Sequence, residues 1–313
     1  MYATTNRHRS VVIQRVLLWL LAVTCAVAAQ AGGPTAQEAD SPNFIQASVL
    51  VVGEGQQVYS VFGHTALRMQ CPSKGLDYCF TFEMDMSQSS WVDFLTHSAK
   101  AGYSAAATPL FLDQYRQEGR GVWAYRLNLT PHEKQDLWRA LDSLVAVGAT
   151  WTFDYYEVSC TSMTLYALQE GLQGDRLSFR QLPQPLRGNY HDVVNDGTQQ
   201  SPWGRLFWNA MIIRGGNRHG DPESMMTPRL LRQCMPYAVL SDSVGHKRPL
   251  VVGSVQQLLP QTVANQPCAF RPWMALVLAC AVVTGSVILI RRRKRKRNDK
   301  GIVTGKKNSQ RKQ

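Results

Sequence analysis

Two uncharged apolar segments lie near the two ends of this 313-residue chain, and they confine any folded domain to the residues between them. The first, residues 16–29, follows Arg7, Arg9 and Arg15 and ends in small residues of the Ala-x-Ala kind. A basic start, an apolar centre and a small-residue end are typical of a secretory signal peptide. We therefore predict a signal peptide at residues 1–31, with an uncleaved signal anchor as the alternative.

The second apolar segment, residues 272–290, has nineteen residues without a charge. That length is enough to cross a bilayer, and the seven basic residues 291–297 follow at once. Because basic residues next to a span stay cytoplasmic, we predict a transmembrane helix at 272–290 and a basic cytoplasmic tail at 291–313. The intervening domain then lies outside the cytoplasm. A buried core helix is the alternative for this segment.

The high positive net charge comes from residues near the two ends of the chain. Lys and Arg total 34 and Asp and Glu total 22, which gives a formal charge of +12. The tail contributes +11 and the signal segment +3, so the domain between them carries −2. A nearly neutral domain gives no reason to expect a nucleic-acid partner. The basic tail is expected to lie near anionic lipid.

The domain itself reads as mixed α and β. Short apolar runs bounded by turn residues predict strands at 47–52 and 78–82. Thr130 and Glu133 form a capping box followed by leucines at helical spacing, and Gly148 supplies a stop. These features predict an α+β fold of one sizeable domain.

The cysteines divide into two groups. Two of the seven, Cys25 and Cys280, lie in the apolar segments, which leaves five in a domain expected to be exported. Cys71 and Cys79 flank a turn and are predicted to form a disulfide, and Cys234 can pair with Cys268. Cys160 is then left over, although a bond between Cys160 and Cys234 remains an alternative.

Cys160 opens a helix-like run, and a thiol at a helix N-terminus is placed where the macrodipole favours thiolate. Far upstream, His64 follows Gly63 at the head of a strand-like run. A thiol and a distant histidine are the minimal set for acyl-transfer chemistry, so we predict Cys160 as nucleophile and His64 as base. The alternative bases are His97, His191 and His219.

A third polar residue is expected to orient His64, and Thr81 and Glu83 on the next strand are both candidates. No paired ligands at metal-binding spacing and no phosphate-binding glycine loop occur in the sequence. We therefore expect neither a metal nor a cofactor.

Several segments, in this order and spacing, resemble the Lnb N-terminal periplasmic domain family of bacteria. They are residues 60–68, 117–122, 127–130, 155–161, 202–203 and 223–231. The resemblance implies a lipoprotein N-acyltransferase, which moves an acyl chain from a phospholipid to the amino-terminal cysteine of a lipoprotein. It places the family histidine at His64 and the family cysteine at Cys160.

The fold implied by the resemblance is a permuted papain-like, NlpC/P60-like α+β domain over residues 44–260, here followed by the predicted transmembrane helix. The expected location is the bacterial inner membrane, crossed once, with the domain in the periplasm. The expected partners are a phospholipid acyl donor, a lipoprotein or peptide acceptor, and the membrane.

This chain departs from the family pattern in two ways. The family usually has Asn-Cys where this chain has Ser159 and Cys160, and members with this activity carry several transmembrane helices where we predict one. Two other functions fit the same residues. One is a cysteine amidase or peptidase that acts on cell-wall peptide, and the other is a non-catalytic envelope assembly or interaction protein.

Overall fold

The computed structural model describes residues 44–85, 87–172, 174–263, 271–284, 286–288 and residue 291. The described strands are β1 (Gln46–Val52), β2 (His64–Cys71), β3 (Leu76–Met84), β4 (Lys100–Ala107), β5 (Val122–Arg126), β6 (Thr150–Thr152), β7 (Arg176–Phe179), β8 (Ala238–Ser241), β9 (Lys247–Pro249) and β10 (Gln256–Leu259). The described α-helices are α1 (Trp91–Leu95), α2 (Thr108–Gln117), α3 (Pro131–Val147), α4 (Cys160–Glu170), α5 (Tyr190–Gly197), α6 (Pro202–Met211) and α7 (Pro228–Cys234). The predicted signal peptide and the tail beyond Arg291 lie outside the described residues.

Seven strands form the main sheet, in the order β10-β5-β1-β2-β3-β4-β6. Every neighbouring pair is antiparallel. A second sheet of three antiparallel strands has the order β7-β8-β9. The mixed α+β character predicted from the sequence is therefore confirmed.

Strand β1 lies in the interior of the main sheet and is buried on both faces. Val49 and Val51 belong to the large core cluster, whereas Leu50 and Val52 belong to a second cluster on the opposite face. Alternate residues of a strand point to opposite faces, so a strand covered on both sides reads as a continuous apolar run. This explains why the sequence signal of β1 was easy to recognise.

Different helices cover the two faces of the sheet. Helix α4 places Leu165 and Leu168 in the large core cluster. Helix α2 places Phe111 and Tyr115 in the second cluster. The start of β2 therefore lies between α4 on one side and α2 on the other, and this arrangement positions the site described below.

Helix α3 begins as its sequence predicts. The Thr130 hydroxyl accepts a hydrogen bond from the N–H of Glu133 at 3.2 Å, and the Glu133 carboxylate accepts one from the N–H of Thr130 at 2.6 Å. Gly148 follows the helix with a φ of 60°, a left-handed conformation that glycine adopts readily. The predicted capping box and stop are both confirmed.

An ion pair on the sheet fixes the start of α2. Arg68 on β2 donates two hydrogen bonds to Asp77 on β3, at 2.8 and 2.6 Å. The hydroxyl of Thr108, the first residue of α2, donates to the same carboxylate at 2.6 Å. A bidentate pair of this kind adds geometric specificity, so it holds α2 in place over the β2–β3 hairpin.

The membrane-spanning part of the predicted fold class is wrong. Among the described residues, no helix is both long enough and apolar enough to cross a membrane.

The predicted disulfide between Cys71 and Cys79 is not formed either, because the structure holds both thiols free and buried. In the β2–β3 hairpin Cys71 pairs with Leu76, whereas Cys79 pairs with Arg68. Their positions in the register place the two cysteines on opposite faces of the sheet. No rotation of the side chains can bring such thiols to bonding distance. Cys234 is buried in the core, and its suggested partner Cys268 lies outside the described residues.

Candidate active site

Cys160 is the first residue of α4, as the sequence predicts. Ser159 is the N-cap, and its hydroxyl accepts a hydrogen bond from the N–H of Ser162 at 3.2 Å. The Ser162 hydroxyl accepts in return from the N–H of Ser159 at 2.9 Å. Serine therefore performs the capping role that asparagine usually fills at this position in the family the sequence resembles.

His64 is the first residue of β2, and the backbone before it is unusual. Gly63 has a φ of 93°. A Cβ at this position would collide with the carbonyl oxygen of Val52 on the neighbouring strand and approach Pro228 of α7 to 3.1 Å. Only glycine fits here, so the turn that presents His64 depends on Gly63.

The imidazole of His64 contacts the hydroxyl of Thr81, through Nε2. That hydroxyl lies 3.3 Å from the Thr65 carbonyl oxygen, which can only accept. A Thr81 hydroxyl that donates to Thr65 can accept from Nε2–H. In that tautomer Nδ1 of His64 is unprotonated and can act as a base.

Of the two orienting candidates, the structure places Thr81 and not Glu83 on the imidazole. Glu83 instead accepts a hydrogen bond from the Ser104 hydroxyl at 2.6 Å. Both residues lie on the same face of β3, two positions apart, so the sequence alone could not separate them.

Two threonines form hydrogen bonds with the thiol of Cys160. Thr65 and Thr161 do so through side chain and backbone, and the Thr161 hydroxyl lies 4.0 Å from the sulfur. Thr65 is fully buried, and its hydroxyl lies 3.1 Å from the hydroxyl of Thr164 on α4. These contacts join the start of β2 to the first turns of α4. They bring the residue next to His64 against the thiol.

The thiol and the imidazole line a common cavity of about 540 Å³. The cavity wall is largely aromatic and aliphatic, and it includes Phe82, Phe94, Phe153, Tyr155, Trp208 and Ile212. Among the described residues, no hydrogen bond joins the sulfur of Cys160 to His64. Catalytic contacts are often loose before substrate binds and tighten in the complex.

The three alternative histidines lie elsewhere. His97 contacts Tyr155 edge to face, at 4.3 Å between ring centroids. His191 contacts Asn209, and His219 contacts the carbonyl oxygen of Gly188 at 2.7 Å. None of them belongs to the described lining of the cavity, whereas His64 does. The described residues also contain no group of three or more His, Cys, Asp or Glu side chains arranged to hold a metal ion.

A sequence profile of the Lnb N-terminal periplasmic domain family matches residues 34–192. The chain belongs to this family. The match covers both His64 and Cys160 and indicates a periplasmic location for the domain. No curated protein and no solved structure matches the chain. No solved structure therefore tests the predicted permuted papain-like arrangement of this Lnb-type domain, which stays a prediction.

Two residues next to His64 in this Lnb-type domain have no role that the sequence predicts. Tyr115 on α2 lies 6.4 Å from the imidazole between ring centroids. The guanidinium of Arg120 lies over the Tyr115 ring at 4.8 Å, and its Nη2 is buried with no hydrogen-bond partner among the described residues. Arg120 stands in one of the family motifs, but only the fold brings its charge close to His64.

Burial decides the charge state of the two candidate residues. Burial and, to a smaller extent, the positive charge of Arg120 together lower the pKa of His64 to about 4. Burial also raises the pKa of Cys160 above its ordinary value, and hydrogen bonds from Thr65 and Thr161 offset only part of that rise. At neutral pH both groups are therefore neutral. The thiolate–imidazolium pair expected from the sequence is not the resting state, because burial outweighs the dipole of α4.

We expect alkylation of Cys160 by iodoacetamide to reflect this neutral thiol. Since the thiolate is the reactive form, the rate should reach half of its maximum only at a pH above the ordinary thiol pKa of about 8.5. Peptide mapping of alkylated protein across a pH series measures the rate at Cys160, with the exposed Cys280 as an internal reference. Fast alkylation of Cys160 at pH 6 would show a preformed thiolate and contradict the account.

Proposed function

We propose that this domain is a periplasmic thiol acyltransferase in which Cys160 carries an acyl group as a thioester. The supporting observation is that a thiol at a helix N-terminus and an imidazole line one largely apolar cavity. An aliphatic chain is compatible with such walls. A cell-wall peptide would leave many polar groups there without hydrogen-bond partners, at a cost of about 1–3 kcal/mol for each group.

In the first half-reaction Cys160 attacks the ester carbonyl of a phospholipid. The thiol proton moves to Nδ1 of His64 as the S–C bond forms, because neither group is charged beforehand. The C–O bond of the ester then breaks. His64 returns the proton to the leaving alcohol oxygen, and the products are a lysophospholipid and the acyl-thioester of Cys160.

Backbone N–H groups at the start of α4 stabilise the oxyanion formed in this step. The first N–H groups of a helix have no partners within the helix, and a hydrogen bond from the backbone of Thr161 favours the charged form of the Cys160 thiol. The backbone of Thr65 reaches the same atom from β2. Fixed donors of this kind act without reorganisation, and one of them is typically worth about 10²–10³ in rate.

In the second half-reaction an amine attacks the thioester. The amine is the N-terminus of a lipoprotein or of a related peptide. The C–S bond breaks as the amide bond forms, and the amine proton passes through His64 back to the thiolate sulfur. Thr81 accepts from Nε2–H throughout, so the proton is taken up and released at Nδ1.

Incubation of the full chain with phosphatidylethanolamine vesicles and an acceptor peptide with an N-terminal cysteine tests the proposal. We expect equal amounts of lysophospholipid and N-acylated peptide by mass spectrometry. Release of peptide from cell-wall fragments without lysophospholipid would favour the amidase alternative. Absence of every product would favour the non-catalytic alternative.

A further inference from the structure

Four large apolar side chains are exposed together near the cavity. Tyr59 belongs to the short 3₁₀ helix Val58–Ser60, whereas Trp91, Val92 and Leu95 belong to α1. Their exposed fractions are 56%, 52%, 66% and 49%. Clustered exposed apolar side chains mark interaction sites more often than isolated ones do. We call these four residues the rim patch.

The rim patch is continuous with the cavity. Tyr59 and Trp91 line the cavity while their rings are half exposed, and the two rings lie 5.7 Å apart. One apolar surface therefore leads from the outside of the molecule to the space that also contains Cys160.

A buried anchor fixes the orientation of the rim patch. Phe94 points inward from the same helix, is 7% exposed, and contacts Trp208 and Tyr155 at centroid distances of 6.0 and 5.3 Å. Because Phe94 is held in the core, the opposite side of α1 must face outward. The packing of α1 against the core therefore fixes the outward orientation of the patch.

The four side chains of the patch carry no charge. The carboxylate of Asp93, on the same helix, accepts hydrogen bonds from the N–H and hydroxyl of Ser90 at 2.7 and 2.6 Å. This capping box satisfies the start of α1. The short helix is thereby stabilised while its apolar side chains stay outside.

We propose that the rim patch is the surface through which this domain contacts a phospholipid bilayer, so that an acyl chain passes from the leaflet into the cavity. The proposal rests on the proposed function. Tyr and Trp rings are favoured where an apolar phase meets water, and Val92 and Leu95 supply aliphatic surface beside them. Because the patch is continuous with an apolar cavity, we expect lipid and not a protein partner at this surface. A bilayer supplies the acyl chains that the cavity would hold.

Fluorescence quenching by lipid tests the contact directly. The full chain is reconstituted in phosphatidylcholine vesicles with or without bromine on the acyl chains. We expect bromine to quench a component of the tryptophan emission that disappears in Trp91→Phe and persists in the matched control Trp138→Phe. Equal quenching in wild type and Trp91→Phe would overturn the proposal. Contact of Trp91 with a protein partner or with a second copy of the chain, and not with lipid, would also overturn it.

Acyl-transfer rates give a second test with matched variants. Val92→Asp and Leu95→Asp do not alter the described cavity lining, and we expect each to lower the rate on phospholipid vesicles about tenfold, because burial of one such side chain in the bilayer is lost. The rate on a water-soluble short-chain ester should not change. Val244→Asp, at a position 80% exposed in the β8–β9 connection, is the control.

The outcomes separate the two proposals. An equal loss of rate on vesicles and on the soluble ester would overturn the bilayer contact but keep the acyltransferase. A wild-type chain that acylates from neither donor would reject the proposed function. The bromine-quenching result would still decide whether the rim patch meets lipid.

Discussion

Replacement of Cys160 by serine is expected to abolish thioester formation, and His64→Ala is expected to lower acyl transfer by about 10²–10⁴, the usual contribution of a general base. Without the imidazole nothing accepts the thiol proton, since the pKa of Cys160 is raised and the thiol stays protonated at neutral pH. The double mutant should be no worse than Cys160→Ser alone, because the two residues act as one unit.

Initial rates of lysophospholipid release measure these losses. Cys280→Ser and His246→Ala are the matched controls, since both residues are exposed and remote from the described cavity lining. Thermal unfolding of each variant shows whether the fold is kept. If His64→Ala retained most of the rate, His64 would not be the base, and the contact of Thr81 with its imidazole would have no catalytic role.

Activity should also persist at mildly acidic pH. With the pKa of His64 lowered to about 4, the imidazole stays neutral at pH 5. A histidine with the ordinary pKa of about 6.5 would be only about 3% neutral there, a loss of roughly thirtyfold. We therefore expect a pH–rate profile that is flat from pH 7 to 5 and falls near pH 4.

Arg120→Met tests the cause of this shift. The charge of Arg120 opposes imidazolium formation, so its removal should raise the pKa of His64 and move the acidic fall of the rate to higher pH. Arg120→Lys keeps the charge and should keep the wild-type profile. The other polar groups near the imidazole, Thr81, Tyr115 and Glu83, are present in both variants. The ion pair of Glu118 with Arg120, at 2.9 Å, is lost in Arg120→Met. Identical profiles for the methionine and lysine variants would contradict the assignment.

The free energy of unfolding should depend on pH through the same titration of His64. His64 binds its proton less readily in the folded state than in the unfolded chain, so stability is fully present above pH 6.5 and is lost as the pH falls towards 4. The full shift corresponds to roughly 3 kcal/mol. Unfolding of wild type and His64→Gln by urea at pH 7 and pH 4 measures it, and the variant should lose less stability on acidification.

The sequence predicted those parts of the fold that short-range chemistry determines. The apolar run of β1, the capping box at Thr130 and Glu133, and the helix start at Ser159 and Cys160 each follow from neighbouring residues. The sequence of β4 does not predict a strand, because it is rich in Ala, Gly and Ser, which have low strand propensity. Pairing with β3 and β6 overrides that propensity, and such long-range pairing is not visible locally.

The same limit explains what was predicted of the site and what was not. Cys160 and His64 could be selected by residue type and setting, but their charge states could not, because burial is a property of the whole fold. Spacing alone suggested that Cys71 and Cys79 meet, whereas the strand register places them on opposite faces. Tyr115 and Arg120 lie close together in the sequence, but only the fold places them next to His64.

The most direct test of the account is the intact mass of the full chain after brief exposure to phospholipid vesicles with a single defined acyl chain and no acceptor. The account predicts a mass increase equal to that acyl group, located on the peptide that contains Cys160 and removed by neutral hydroxylamine, as a thioester requires. The same increase must be absent in Cys160→Ser. An unmodified Cys160 after lysophospholipid has been released, or an acyl group carried on another residue, would contradict it.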